Sequence, residues 1–307
     1  VRRAWRSLLL ALVGHSIMIP SGSGDTIDWR KPHPVLTFAG DARLLAKTIR
    51  PLVGLSQEEL LKRWSDPAKM SEPAVAARSA IGLWETTGEA TWRDVGARFC
   101  TAALGDLDSV SDENLRARID GRGVKNPDHF LLRDACRFYA FRFLLTGDRV
   151  SAQRAAALLV RFAEVIPTWK IYIPHYGDDK WSHEYPQTAE GFYRDWDATG
   201  LWGTWIYQDL DAAGPLLEAY DIIRGSGVLR KQGALKGVEA MLRRHVQVQW
   251  NYGRALGNMD GTQIRGVLRF ADVLREPEWV HMCAKWVADI YKTQFYADGW
   301  WHEGTPS

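Results

Sequence analysis

Apolar residues in this chain return at helical spacing, run after run, and the runs are punctuated so tightly that each must fold back on the one before. In SAQRAAALLVRFAEVI, residues Ala155, Leu158, Leu159, Phe162 and Ile166 fall on one face, and Pro167 closes the run. TQIRGVLRFADVL repeats the pattern with Ile264, Val267, Leu268, Ala271 and Leu274. EPEWVHMCAKWVADIYK follows with Trp279, Cys283, Trp286, Val287 and Ile290. The link LREPEW is short enough to make the last two an antiparallel hairpin. Upstream, LLRDACRFYAFRFLLTGD ends at Thr146-Gly147-Asp148, a stop followed at once by a new helix start. Strand-like alternation is scarce, and neither a Gly-rich phosphate loop nor a βαβ pattern occurs. The expected fold is all-α, built from repeated helical hairpins as a solenoid or a closed toroid.

Composition excludes several classes of function. A net charge of +2 over 307 residues marks no global nucleic-acid binder. The basic clusters at Arg116–Lys125 and at Arg133, Arg137 and Arg142 read as solvated helix faces. The three cysteines, Cys100, Cys136 and Cys283, are widely spaced, with Cys136 and Cys283 inside apolar helical patterns, so free buried thiols are expected. At the start, Arg2, Arg3 and Arg6 precede the apolar run Leu8–Val13, with small residues at Ser21–Gly24. This resembles an export signal over residues 1–24, leaving 25–307 as the folded domain and a periplasmic or secreted location. No other stretch is expected to span a membrane.

Fifteen tryptophans are unusual for this length. Many lie in or after the segment 169–205, which is aromatic, broken by Pro and Gly, and dense in His, Asp and Glu. Aromatic rings interleaved with polar groups suit a polysaccharide cleft, because rings pack on the C–H faces of sugars while polar groups read the substituents. His175, Asp178, Asp179, His183 and Glu184 lie in this segment, but their spacing matches no metal-ligand pattern, and no metal or other cofactor is expected. Pairs such as Asp195 or Asp197 with Asp298 or Glu303 would suit the acid and base of a glycoside hydrolase.

Two further stretches carry more specific information, YGRALGNMDGTQIRG (Tyr252–Gly266) and the closing DGWWHEGTPS. The second resembles the Asp-Gly-x-x-x-Glu-x-x-Pro-x-Tyr-His pattern of heparinase II/III-like polysaccharide lyases, some of which act on alginate. HPVLTFAGDARLLAKTIR, FLLTGD, LLEAYDII and GNMDGTQIRGVLRFADVL also look like that family, in consistent order from about His33 to Ser307. The resemblance implies an α/α toroid of helical hairpins, an incomplete barrel here without the family's usual C-terminal β-sandwich. It implies β-elimination at a uronic acid of an anionic polysaccharide.

That chemistry needs a group to neutralise the uronate carboxylate, a base for the C5 proton and an acid for the leaving oxygen. Asn258 matches the family's asparagine, whose amide serves the first need without titrating. Met259 stands where many members have histidine, so the chain looks closer to those relying on the amide alone. The family's acid–base tyrosine would be the residue after Ser307, and its second histidine comes from the β-sandwich. The substrate-binding candidates are Arg254 and Arg265 for carboxylate or sulfate, Trp300 and Trp301 as a sugar platform, and His302 and Glu303 beside them. A hydrolase on a helical toroid and a non-catalytic polysaccharide binder are the alternative readings.

Overall fold

The computed structural model describes residues 33–121, 126–169, 172–174, 181–184, 200–203, 208–231, 233–252 and 260–293. The helices are α1 (Ala42–Val53), α2 (Gln57–Trp64), α3 (Glu72–Thr87), α4 (Ala90–Leu104), α5 (Asp112–Ala117), α6 (Asp128–Thr146) and α7 (Arg149–Val165). They continue with α8 (Asp209–Arg224), α9 (Val228–Lys231), α10 (Leu235–Tyr252), α11 (Asp260–Leu274) and α12 (Pro277–Thr293). Among the described residues the fold is thus helical, as the apolar periodicity predicts. One exception is a short antiparallel ribbon within the aromatic segment, where β1 (Tyr172–Pro174) pairs with β2 (Trp181–Glu184) and Ile173 stands opposite His183. The Tyr-Ile pair favours extended backbone, and the run is too short to show a period.

Local chemistry sets the helix ends. The Asp41 side chain caps α1 by accepting from the backbone N–H groups of Arg43 and Leu44. Ser56 and Glu59 form a reciprocal capping box on α2. The Thr146-Gly147-Asp148 signal works as its residues suggest. Gly147 takes φ 76° and donates to the Phe143 carbonyl, ending α6. Asp148 then accepts from Val150 and Ser151 to begin α7. The turn between α11 and α12 passes through Arg275 at φ 63°, and the Glu276 N–H returns to the Ala271 carbonyl. Pro277 opens α12, where its missing N–H costs nothing.

The hairpins pack into two rows. In the first, α3 touches α6, α6 touches α8, and α8 touches α11. In the second, α4 lies on α3 and α6, α7 on α6 and α8, and α10 on α7, α8 and α11. Helix α8 is the centre of this arrangement and is buried almost all round, with every residue from Asp209 to Ile223 except Asp211 out of solvent. Gly266 lets α11 approach α8 closely, since a Cβ there would lie 2.8 Å from the Leu210 Cβ. The main hydrophobic core runs from Val35 to Ile290, and a smaller cluster around Ile49, Leu60 and Phe99 closes the α1–α4 end. The predicted apolar faces are in place, with Ala155, Leu158, Leu159, Phe162 and Ile166 all buried on α7. All three cysteines are free and buried. The segment 1–24 lies outside the described residues.

Candidate functional site

Two polar assemblies stand out inside this helical frame, and α8 carries a residue central to each. The first is centred on Glu218, which is wholly buried. Its Oε1 accepts from Arg78 Nη2 of α3 and from Arg269 Nη2 of α11, both at 2.7 Å. Arg137 Nε of α6 lies 2.9 Å from Oε2, an ion-pair contact whose angle misses a hydrogen bond. Each helix of the first row therefore sends one charged side chain to a single point. Burial by itself would raise the Glu218 carboxyl, but Arg78, Arg137 and Arg269 outweigh it and hold it at about 2. Arg137 moves the other way, down to about 10. Burial is the main cause, and its neighbours Arg78 and Arg133 add to it. The two directions agree physically, because one acid serves three cations and each cation has only a share of it.

More arginines extend this assembly on both sides of α8. Arg133, one turn before Arg137, donates to the Ala212 carbonyl at 3.0 Å and to Asp134 at 2.8 Å. Its guanidinium also lies over Phe130 and Trp202. On α11, Arg265 lies one turn before Arg269 and meets both Asp211 oxygens, at 3.0 and 3.2 Å. Of Arg133, Arg137 and Arg142, expected as a solvated face, the first two are instead turned inward against α8, because α6 sits between α3 and α8, and Arg142 pairs with Asp108. Arg265 is the one candidate binding residue that falls within the described residues. It is half exposed and at the edge of this basic band.

The second assembly gathers where α8 and α11 begin and α10 ends. Asp209, His245 and Gln249 are wholly buried, and Gln263 nearly so. The Trp202 N–H donates to Asp209 Oδ1 at 3.2 Å. His245 Nδ1 lies 3.8 Å from Asp209 Oδ2, beyond hydrogen-bonding reach. Among the described residues, Asp209 Oδ2, both His245 nitrogens, both Gln249 amide atoms and Gln263 Oε1 have no hydrogen-bond partner. Buried polar groups are normally hydrogen-bonded in a folded protein. Burial pushes the Asp209 carboxyl up to about 7, against the backbone hydrogen bonds it accepts. Burial likewise pushes His245 down to about 3, with the Arg244 charge adding to the effect. This end of the bundle therefore holds a neutral imidazole and a carboxyl whose charged form burial disfavours.

The aromatic segment divides between two roles. Trp169 and Trp202, near its two ends, are core residues, packed edge to face at 5.1 Å between ring centroids. His129 stacks on Trp169 at 4.7 Å. At these two positions the rings serve packing and not a sugar surface. Asn258, Arg254, Trp300, Trp301, His302 and Glu303 lie outside the described residues, as do His175, Asp178, Asp179, Asp195, Asp197 and Asp298. Asn258 nevertheless stands two residues before Asp260, whose side chain is buried in the first turn of α11. Among the described residues, no cluster of three or more His, Cys, Asp or Glu side chains could hold a metal ion. No helix there is long and apolar enough to cross a membrane.

The Glu218 assembly had a signal in the sequence that periodicity alone passes over. LLEAYDII places two acids in an otherwise apolar run, and a buried acid needs cationic or backbone partners. His245 and Gln249, four residues apart, similarly interrupt a helical apolar face. No family model, no curated protein and no solved structure matches this chain.

Proposed function

We propose that the chain is an α/α-toroid domain of an exported polysaccharide lyase that cleaves a uronic-acid-containing polymer by β-elimination. The observation that carries this reading is the basic band across α3, α6, α8 and α11. It runs through Arg265 toward the start of α11, directly after the segment holding Asn258. Its partly exposed members, Arg78, Arg265 and Arg269, carry the charge a polyanionic chain would pair with. The two-row packing of hairpins is what a toroid would require.

In the proposed reaction the Asn258 amide hydrogen-bonds the uronate carboxylate, stabilising the charge that develops when the C5–H bond breaks. The base takes that proton, the electron pair forms the C4–C5 double bond, and the C4–O bond breaks. The leaving oxygen takes a proton from the acid, so no oxidant or reductant is consumed. The family resemblance assigns the acid and base roles to a tyrosine. Arg254, Arg265, Trp300, Trp301, His302 and Glu303 hold the chain in this scheme.

The protein, mixed with polymannuronate, polyguluronate or heparan sulfate, tests the proposal. Unsaturated uronate ends should appear as new ultraviolet absorbance on one of these substrates, and Asn258→Ala should lower the rate at least 100-fold, on the order of one lost oxyanion contact. Saturated reducing ends, with Asn258→Ala still active, would replace the lyase by a hydrolase.

A further inference from the structure

Four helices converge on Glu218, and their charges do not balance. Among the described residues, the ion pairs of Arg78, Arg133, Arg137 and Arg269 are made with Glu218 and Asp134, four cations on two acids. A staple between helices needs one cation for one acid, and extra buried cations only add repulsion and desolvation. The geometry points to what completes the set. Arg78 Nη2 and Arg269 Nη2 both lie 2.7 Å from the same Oε1, so they stand within twice that distance of each other. Each guanidinium carries five N–H donors, and this contact uses one from each. Both side chains are about one-third exposed, at 33% and 32%, although Glu218 beneath them is closed off from solvent. Among the described residues Arg78 Nε is buried without a hydrogen-bond partner. Arg137, only 7% exposed, backs the pair from below.

We propose that Arg78 and Arg269, fixed by Glu218 and backed by Arg137, form a binding site for one oxyanion, a carboxylate or sulfate, on an acidic saccharide. The site deepens the lyase reading by naming the substrate group it takes, and it rests on that reading only for the saccharide to which the group belongs. Glu218 is a positioning residue here. Its Oε1 holds two guanidiniums from helices far apart in sequence within twice 2.7 Å of each other at Nη2, each with further N–H donors of the kind an oxyanion accepts in pairs.

The 307-residue chain can be titrated with sodium sulfate and, separately, with sodium glucuronate, with sodium chloride holding ionic strength constant. Calorimetric binding and the thermal midpoint are the readouts. The wild type should show a saturable rise in midpoint and a measurable heat with at least one of the two anions. The anion that gives it identifies the group as sulfate or carboxylate. The Arg78→Gln/Arg269→Gln double variant should lose about tenfold or more in affinity, the usual worth of a charge-assisted fork. If the double variant does not fold, Arg269→Lys retains a cation for Glu218 and lacks the fork, and it should still weaken binding several-fold. A midpoint rise that never saturates, or that is equal in all variants, overturns the site. The outcomes separate the two proposals. Anion binding without ultraviolet-absorbing products defeats only the lyase, and such products with no anion binding defeat only this site.

Discussion

Replacing Glu218 with glutamine tests the electrostatic argument most directly, because the amide keeps the shape and removes the charge. Burial opposes ionisation of Glu218, yet three arginines bring its carboxyl from the ordinary 4.5 down to about 2. At about 1.36 kcal/mol per unit, that difference makes the ionised carboxylate worth about 3 kcal/mol to the folded state at neutral pH. The cost of stranding a buried charge by removing its partner, about 3–5 kcal/mol, gives a consistent figure. The sign follows from linkage. The folded state holds its carboxylate ionised more strongly than the unfolded chain, so the stabilisation is complete above about pH 4.5 and is lost as pH falls through about 2. Glu218→Gln should therefore cost about 3 kcal/mol in urea unfolding at pH 7 and only about 1–2 kcal/mol at pH 3. A cost below about 1 kcal/mol at pH 7, or one that does not shrink on acidification, would refute the claim that the three arginines act through this carboxylate.

Two further perturbations probe the rest of the frame. Asp209→Asn should stabilise the protein relative to wild type above pH 7 by up to about 4 kcal/mol, because it removes a carboxylate that burial disfavours. The folded-state value of about 7 lies above the unfolded 3.8, so the gain should fade as pH drops and vanish below about pH 4, and a gain independent of pH would show that Asp209 does not titrate in this window. Asp221→Ala removes the acceptor of the Val35 and Leu36 backbone N–H groups, at 2.8–3.0 Å, and the partner of His33. It should cost about 3 kcal/mol and speed proteolysis near residues 33–36, whereas an unchanged cleavage pattern would mean that this carboxylate does not hold the segment.

The helical hairpins were legible because the apolar residues that signal them are also the residues they bury. Ala155, Leu158, Leu159 and Phe162 need only a period of about 3.6 and a nonpolar neighbour, whatever that neighbour is. Gly147 and Asp148 were legible for a similar reason, since their roles as stop and cap depend on their own backbone and side chain. The basic residues on α6 were misread as a solvated face. The charge pattern of one helix does not reveal that α8 brings an acid against it. Of the sequence-derived binding candidates, the described structure locates only Arg265, on the rim of the arginine band.

The sequence by itself determined the local features: where helices start and stop, which face of each is apolar, and that the thiols are free. Those depend on neighbours within a few residues, so a linear reading can reach them. Tertiary structure alone decided that Arg78, Arg137, Glu218 and Arg269, spread over most of the chain, would meet at one point. It also decided that Asp209 and His245, both wholly buried, would lie 3.8 Å apart. A charge carries no sign in the sequence of which distant partner it will face, and burial, which sets its energy, exists only after the helices have packed.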